Sequence, residues 1–145
     1  MLEISDLKTY FFTRKGIVKA VDAVTLKIKK KEIYGLVGES GCGKSVTALS
    51  IMKLVPEPPG KIVGGQVKMN GANLLEKDEK EMRLVRGKDV AMIFQDPLTS
   101  LNPTMKIGAQ MVEAAKAHNK LSSTEAWKKS AETLTKVGIP DSEIR

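Results

Sequence analysis

The sequence is short of several things that decide function. It holds one cysteine, Cys42, and one histidine, His118. A lone thiol excludes an internal disulfide and any metal site built from clustered cysteines, so a reducing compartment is the simpler expectation. Aromatic residues make up only 4%, and none downstream of Phe12 is interleaved with basic residues, which removes the stacking platforms of single-strand nucleic-acid binders. No apolar run approaches the ~20 residues needed to cross a bilayer, and the amino terminus lacks the basic-then-apolar layout of a signal peptide. A soluble chain that reaches any membrane through a partner is the expectation.

What is there fits a globular protein. The 145 residues are 41% hydrophobic and 28% charged, enough to bury a core and too apolar for a disordered chain. The net charge is +7, from 24 Lys and Arg against 17 Asp and Glu, which suits an anionic partner. Much of that charge has a blander reading: Lys27, Lys29, Lys30 and Lys31 gather before Glu32 as the solvated end of a hairpin. His118, among Lys116, Asn119 and Lys120, reads as a surface side chain.

Leu2 to Phe12 reads as a strand, and Val18 to Ile28, alternating at Val24, Leu26 and Ile28, as its antiparallel partner. Ile33-Tyr34-Gly35-Leu36-Val37 is a continuous apolar run, the pattern of a strand buried on both faces. Val46, Leu49, Ile51, Met52 and Leu54 predict a helix from Lys44 that ends before Pro56, Pro58, Pro59 and Gly60. Gly64 to Met69 predicts a strand closed by the turn pair Asn70-Gly71, and a charged helix from Asp78 to Arg86 stops at Gly87. Val90 to Phe94 is a second fully apolar strand pattern, broken at Asp96-Pro97. Ile107 to His118 and Thr124 to Val137 are helical patterns with no strand between them, ended by Gly138 and Pro140.

The chemistry sits at Gly38 to Ser45, GESGCGKS, between an apolar strand pattern and a helix pattern. This is glycine, four residues, glycine, lysine, serine: a phosphate-binding loop. Glycines at 38, 41 and 43 permit backbone angles that turn successive amides of Gly38, Glu39, Ser40, Gly41, Cys42, Gly43, Lys44, Ser45 and Val46 inward as an anion cradle. The helix from Lys44 aims its positive dipole end at the same point. Lys44 is placed to reach the β- and γ-phosphates of ATP as a point charge, and the Ser45 hydroxyl to ligate the Mg²⁺ that bridges them. Charge-assisted hydrogen bonds of roughly 1.5–3 kcal/mol each, from a few amides plus Lys44, would supply most of the affinity. Cys42 lies inside the cradle, either as a thiol made reactive by the helix start and Lys44 beside it or as a small residue filling a loop slot, and its position there predicts that alkylating it blocks nucleotide. The loop alone does not choose among kinases, GTPases, motors and transporters.

Further stretches narrow the choice. Leu7-Lys8-Thr9-Tyr10-Phe11-Phe12, Ala20-Val21-Asp22-Ala23-Val24, GLVGESGCGKS and the run Met92-Ile93-Phe94-Gln95-Asp96-Pro97-Leu98-Thr99-Ser100-Leu101-Asn102-Pro103 together resemble the ATP-binding cassette (ABC) family, in particular the ATPases of oligopeptide and dipeptide importers. The resemblance implies an α/β fold: a P-loop NTPase core with an antiparallel β subdomain over 1–97, then the start of a helical subdomain over 98–145. It implies that Gln95, on the family's Q-loop, contacts Mg²⁺ and the attacking water, serving with Lys44 as a catalytic residue and with Ser45 as a metal ligand. It also implies an aromatic that stacks on adenine, Phe11 first and Tyr10 second, the competing role for Phe11 being ribbon packing. Asp96 and Pro97 then shape the bend after the strand.

The family's signature motif, Walker B aspartate, catalytic glutamate and switch histidine have no counterpart in these residues. The expectation is the front part of a cassette that binds ATP weakly and hydrolyses it negligibly by itself. The complete subunit would be a transport-coupled ATPase at the cytoplasmic face of the plasma membrane. Its expected partners are two transmembrane permease subunits, a second cassette as homo- or heterodimer and, indirectly, an extracytoplasmic solute-binding protein; no nucleic acid is expected. Two alternatives stand beside it: a soluble ABC-type ATPase acting on nucleic acid or ribosomes, and a non-hydrolysing nucleotide-binding protein.

Overall fold

The computed structural model describes residues 1–96 and 100–140. They belong to two compact units, Met1–Arg86 and Gly87–Arg145.

The first unit is built on an antiparallel sheet. Strand β1 (Leu2–Thr13) pairs with β2 (Gly16–Ile28) on one side and with β3 (Gly60–Met69) on the other, and a short β4 (Ala72–Asn73) completes the order β2-β1-β3-β4. The β3–β4 turn is Asn70-Gly71, with φ of 49° and 89°, the left-handed pair that matches strand twist. Along β1 the buried residues are Ile4, Leu7 and Thr9, a spacing that strict alternation forbids. A bulge resolves it: the register shifts between Ile4 and Leu7 and again between Ser5 and Lys8, while Asp6 (φ 50°), Ala23 (φ 60°) and Gly65 (φ 92°) turn left-handed at the same level of the three strands. The bulges keep Ile4, Leu7, Val21 and Val67 on one face, where they form the core of the sheet.

Helix α1 (Lys44–Ile51) packs on that face. Its anchor is polar. Ser50 Oγ donates to the Val46 carbonyl at 2.7 Å and lies 2.8 Å from Thr9 Oγ1, with both residues fully buried. Ser50 has one proton and has given it to Val46, so Thr9 must be the donor to Ser50. Beyond the helix, Arg86 gathers the chain: Nε donates to the Met52 carbonyl at 2.8 Å, Nη2 to the Lys53 carbonyl at 3.0 Å and Nη1 to Glu79 at 2.7 Å. The bond from Arg86 holds the Glu79 carboxyl below the usual carboxylate range. Arg86 follows helix α2 (Glu79–Val85), which Asp78 and Glu81 open with a reciprocal capping box.

The second unit holds helices α3 (Ile107–Ala117) and α4 (Ser123–Lys136), packed on each other. Ser122 and Glu125 cap α4 reciprocally, and Ala126, Ser130 and Leu134 form its buried stripe at four-residue spacing. His118, expected in open solvent, is half-buried: its ring lies over Gly87, where a Cβ would meet Nε2 at 2.8 Å. Among the described residues no helix is long and apolar enough to cross a membrane.

Two expectations fail in a common way. The runs 33–37 and 90–94 form no regular strand, and Ile33, Val37 and Ile93 are 100%, 93% and 96% exposed. A strand buried on both faces exists only between paired neighbours. Among the described residues neither run is paired in a sheet, so apolar continuity alone leaves them without regular structure and largely exposed.

The Thr9–Ser50 pair generates a test. Ser50→Ala strands the Thr9 hydroxyl in the core and should cost about 1–3 kcal/mol, less a few tenths returned by alanine's helix propensity. Thr9→Val combined with Ser50→Ala should recover much of that loss in urea unfolding. Equal losses in the single and double variants would show that the hydroxyls are not coupled.

Candidate functional site

The loop 38–45 leads into α1, and its shape comes from two glycines. Gly41 has φ of 82° with open space around it, so its backbone angle alone demands glycine. Gly43, at φ 92° and ψ 0°, is the residue that caps α1. It is buried, and a Cβ there would stand inside the contact shell of the Ala20 carbonyl oxygen. Ala20 reaches that position because β2 bulges: Val21 pairs with Thr9 and Lys19 with Tyr10, leaving Ala20 as the extra residue.

The start of α1 is open to an anion. It carries no side-chain cap and no acidic residue in its first turn. The amide of Thr47 makes the first helical bond, to the Gly43 carbonyl at 2.8 Å. The amides of Lys44, Ser45 and Val46 therefore have no acceptor within the helix, at the end where the dipole is positive. Ser45 is exposed beside them.

The Lys44 ammonium folds back across the loop. It donates to the Gly38 and Glu39 carbonyls at 2.6 Å each and lies 3.4 Å from Cys42 Sγ. The Cys42 amide closes the turn onto the Glu39 carbonyl at 3.3 Å. Glu39, Ser40 and Cys42 are exposed, and Cys42 Sγ occupies the space beside Gly38, where a Cβ would meet it at 2.6 Å. The predicted residues Gly38 to Val46 are thus one continuous structure, with a cation at its centre and unbonded amides at its end.

The two aromatic candidates lie on opposite faces of β1. Tyr10 donates its hydroxyl to Asp22 at 2.7 Å and carries Lys19 Nζ 5.4 Å above its ring. The Asp22 carboxylate pushes the Tyr10 phenol up, and the bond from Tyr10, with Lys19 nearby, pulls Asp22 down. Phe11 shares the face of Thr9, to which α1 is bonded, and is half-buried with its ring edge over Gly60. Gln95 belongs to the second unit, where it is exposed and lines a shallow depression with Phe94, Asp96 and Ser100. The loop's supports had no signature in the sequence: Ala20 acts through its carbonyl at a bulge, and Thr9 with Ser50 through a tertiary contact between common residues.

Residues 21–145 match the ABC transporter family (ABC_tran). The chain is 48% identical over 145 residues to a probable peptide ABC transporter ATP-binding protein, y4tR, of Sinorhizobium fredii, covering 100% of this chain and 43% of that protein. It is 49% identical over 145 residues to the oligopeptide transport ATP-binding protein OppD of Bacillus subtilis, covering 100% of this chain and 40% of that one. The chain therefore spans less than half the length of these relatives. In fold it resembles the bacterial ABC transporter cassette MJ0796 in its dimeric structure, with a TM-score of 0.79 over 93% of this chain and 56% of that one at 23% identity. Because the match takes in the whole phosphate loop and everything that follows it, the chain belongs to the ABC transporter family.

Proposed function

We propose that the chain supplies the ATP-gripping part of the ATPase subunit of an importer for peptides or related small solutes. One observation carries this reading: a lysine ammonium and an uncapped helix start converge on a loop whose closing glycine admits no side chain. The importer class is supported by the peptide and oligopeptide transport names of relatives that match along the full chain.

The residues fit a nucleotide. The amides of Lys44, Ser45 and Val46 and the positive end of α1 suit the oxygens of a polyphosphate. Lys44 exchanges its two carbonyl contacts for the terminal phosphates, so its charge is already desolvated on one side and aimed at the loop. Ser45, through its hydroxyl, would hold Mg²⁺, which would supply charge neutralisation at the phosphates. Gln95, a carboxamide that both donates and accepts, would serve as a further ligand and orient water. Phe11 is the stacking partner for adenine, on the face of β1 that carries α1. We place hydrolysis in the complete cassette, paired with a second one and seated under two permease subunits at the cytoplasmic face of the membrane, with a solute-binding protein outside. Residues 98–145 then open the helical subdomain that meets the permeases.

Lys44→Ala in the full-length subunit should weaken ATP binding about 10- to 100-fold, the worth of a charge-assisted contact, with the fold retained. Gly43→Ala should weaken binding at least as much and also lower the unfolding midpoint, because a left-handed non-glycine residue alone costs about 1–3 kcal/mol. Fluorescent-nucleotide titration and thermal melting separate the two, and wild-type affinity in both variants would end the proposal. Phe11→Ala should raise the Kd for ATP about fivefold or more while leaving that for inorganic triphosphate unchanged, the loss of one stacking contact. Tyr10→Ala should leave both constants alone, and the reverse pattern would reassign the base contact.

A further inference from the structure

Strand β3 has one side without a neighbour. It pairs with β1 along its whole length, but on the other edge β4 meets only Lys68 and Met69. Asn73 closes that edge, its Oδ1 taking the Val67 N–H at 3.2 Å and the Leu75 N–H at 3.3 Å. From Lys61 to Gln66 no strand lies beside β3 among the described residues, and no other segment bonds to its backbone there. The peptide groups that face away from β1 are left to water, a template for an added strand.

This edge borders a groove of about 370 Å³ that lies wholly within the first unit. Val55, Ile62, Val63 and Leu75 give it an apolar lining, and at Gly64 and Gly65 the backbone is bare of side chains. Its walls are tied together: the Lys53 ammonium donates to the Leu75 and Lys77 carbonyls, and Arg86 holds the carbonyl of Lys53 itself. Glu57 and Lys61 also line the groove; both are exposed, and neither has an ion-pair partner among the described residues. Its volume falls at the small end of ligand sites, which run from about 300 to 1,000 Å³.

Each feature selects part of a ligand. An unpaired edge calls for peptide groups, apolar walls for apolar side chains, and free charges of both signs for an ammonium and a carboxylate. The bulges set its length: Val63 is the extra residue between the pairs Lys8–Gly64 and Thr9–Ile62, and Gly65 is left-handed at φ 92°, so a long strand would lose register within a few residues. A tripeptide, about 10 Å long when extended, needs no more ladder than this. We propose that the groove binds a short apolar peptide with free ends as a strand added to β3. The site lies beyond the far end of α1 from Lys44, about 12 Å along that helix, and is separate from the phosphate loop.

The test titrates the full-length subunit, free of nucleotide, with trivaline and follows it by calorimetry and amide exchange. Trivaline should bind with a Kd below about 1 mM and, near saturation, slow exchange of amides within 61–66 about threefold or more. Acetylating its amine or amidating its carboxylate should weaken binding about two- to fivefold, the worth of an exposed ion pair, as should Glu57→Gln and Lys61→Gln in the protein. Leu75→Ala should weaken it at least as much, and Leu75→Met should restore it. Lys44→Ala should leave trivaline binding unchanged; a parallel loss would place the peptide at the phosphate loop and overturn the proposal. So would absence of heat and protection up to about 10 mM trivaline, equal binding of the doubly blocked peptide, or protection confined to amides outside 61–66. Amides of 61–66 that are already protected without peptide would show another part of the subunit covering the edge, which also overturns it.

Discussion

The close approach of Gly43 to the Ala20 carbonyl is the constraint from which the rest of the site follows. A backbone-to-backbone contact of that kind fixes the end of the phosphate loop against the sheet with no side chain between them, and it works only because β2 bulges at Ala20 and Gly43 sits in a left-handed conformation. With that point fixed, the first turn of α1 can remain uncapped. A serine or aspartate at the cap would have satisfied the free amides and stabilised the helix by about 1 kcal/mol. Glycine leaves them open, and the lost stability becomes the capacity to hold an anion.

An uncapped helix of eight residues would not hold its position by propensity alone. It is held along its length instead. The buried Thr9–Ser50 bond pins its last turn to β1, and the Arg86 guanidinium takes the Met52 and Lys53 carbonyls where the negative end of the dipole lies. Lys53 continues the pattern beyond the helix, donating to the Leu75 and Lys77 carbonyls at 3.1 and 2.6 Å. Cations gather at the carbonyl end and none of the first-turn residues is acidic at the amide end, so the polarity of α1 is preserved where a phosphate would meet it.

Most of this unit was legible where the signal is local. The β1–β2 ribbon, the Asn70-Gly71 turn, the start of α1 at Lys44 and the stop of α2 before Gly87 all lie where alternation, turn chemistry and capping put them. The loop at Gly38 to Ser45 stands out because its spacing has a physical reason at each position. What escaped was non-local. The bulges at Asp6, Ala23 and Gly65 follow from how three strands register against one another, and although aspartate tolerates a left-handed turn, nothing local singles out Asp6 for one or marks an alanine for one at all. The ring of His118 over Gly87 depends on which parts of the chain meet, as does the Arg86 clamp.

The apolar runs at 33–37 and 90–94 show the limit of reading from pattern most clearly. A composition of Ile, Leu, Val and Phe states that a segment belongs between strands, and it does not create the strands. Ile33, Val37 and Ile93 accordingly stand exposed, although one run leads directly to the phosphate loop and the other to Gln95. The loop is therefore positioned here from its helical side, through Gly43, Thr9 and Ser50, while its strand side contributes no regular pairing among the described residues. That asymmetry explains why the loop at Gly38 to Ser45 can be well shaped while the apolar run preceding it remains unpaired: one rests on glycine geometry and two buried hydroxyls within the first unit, the other on neighbours that a parallel sheet must supply.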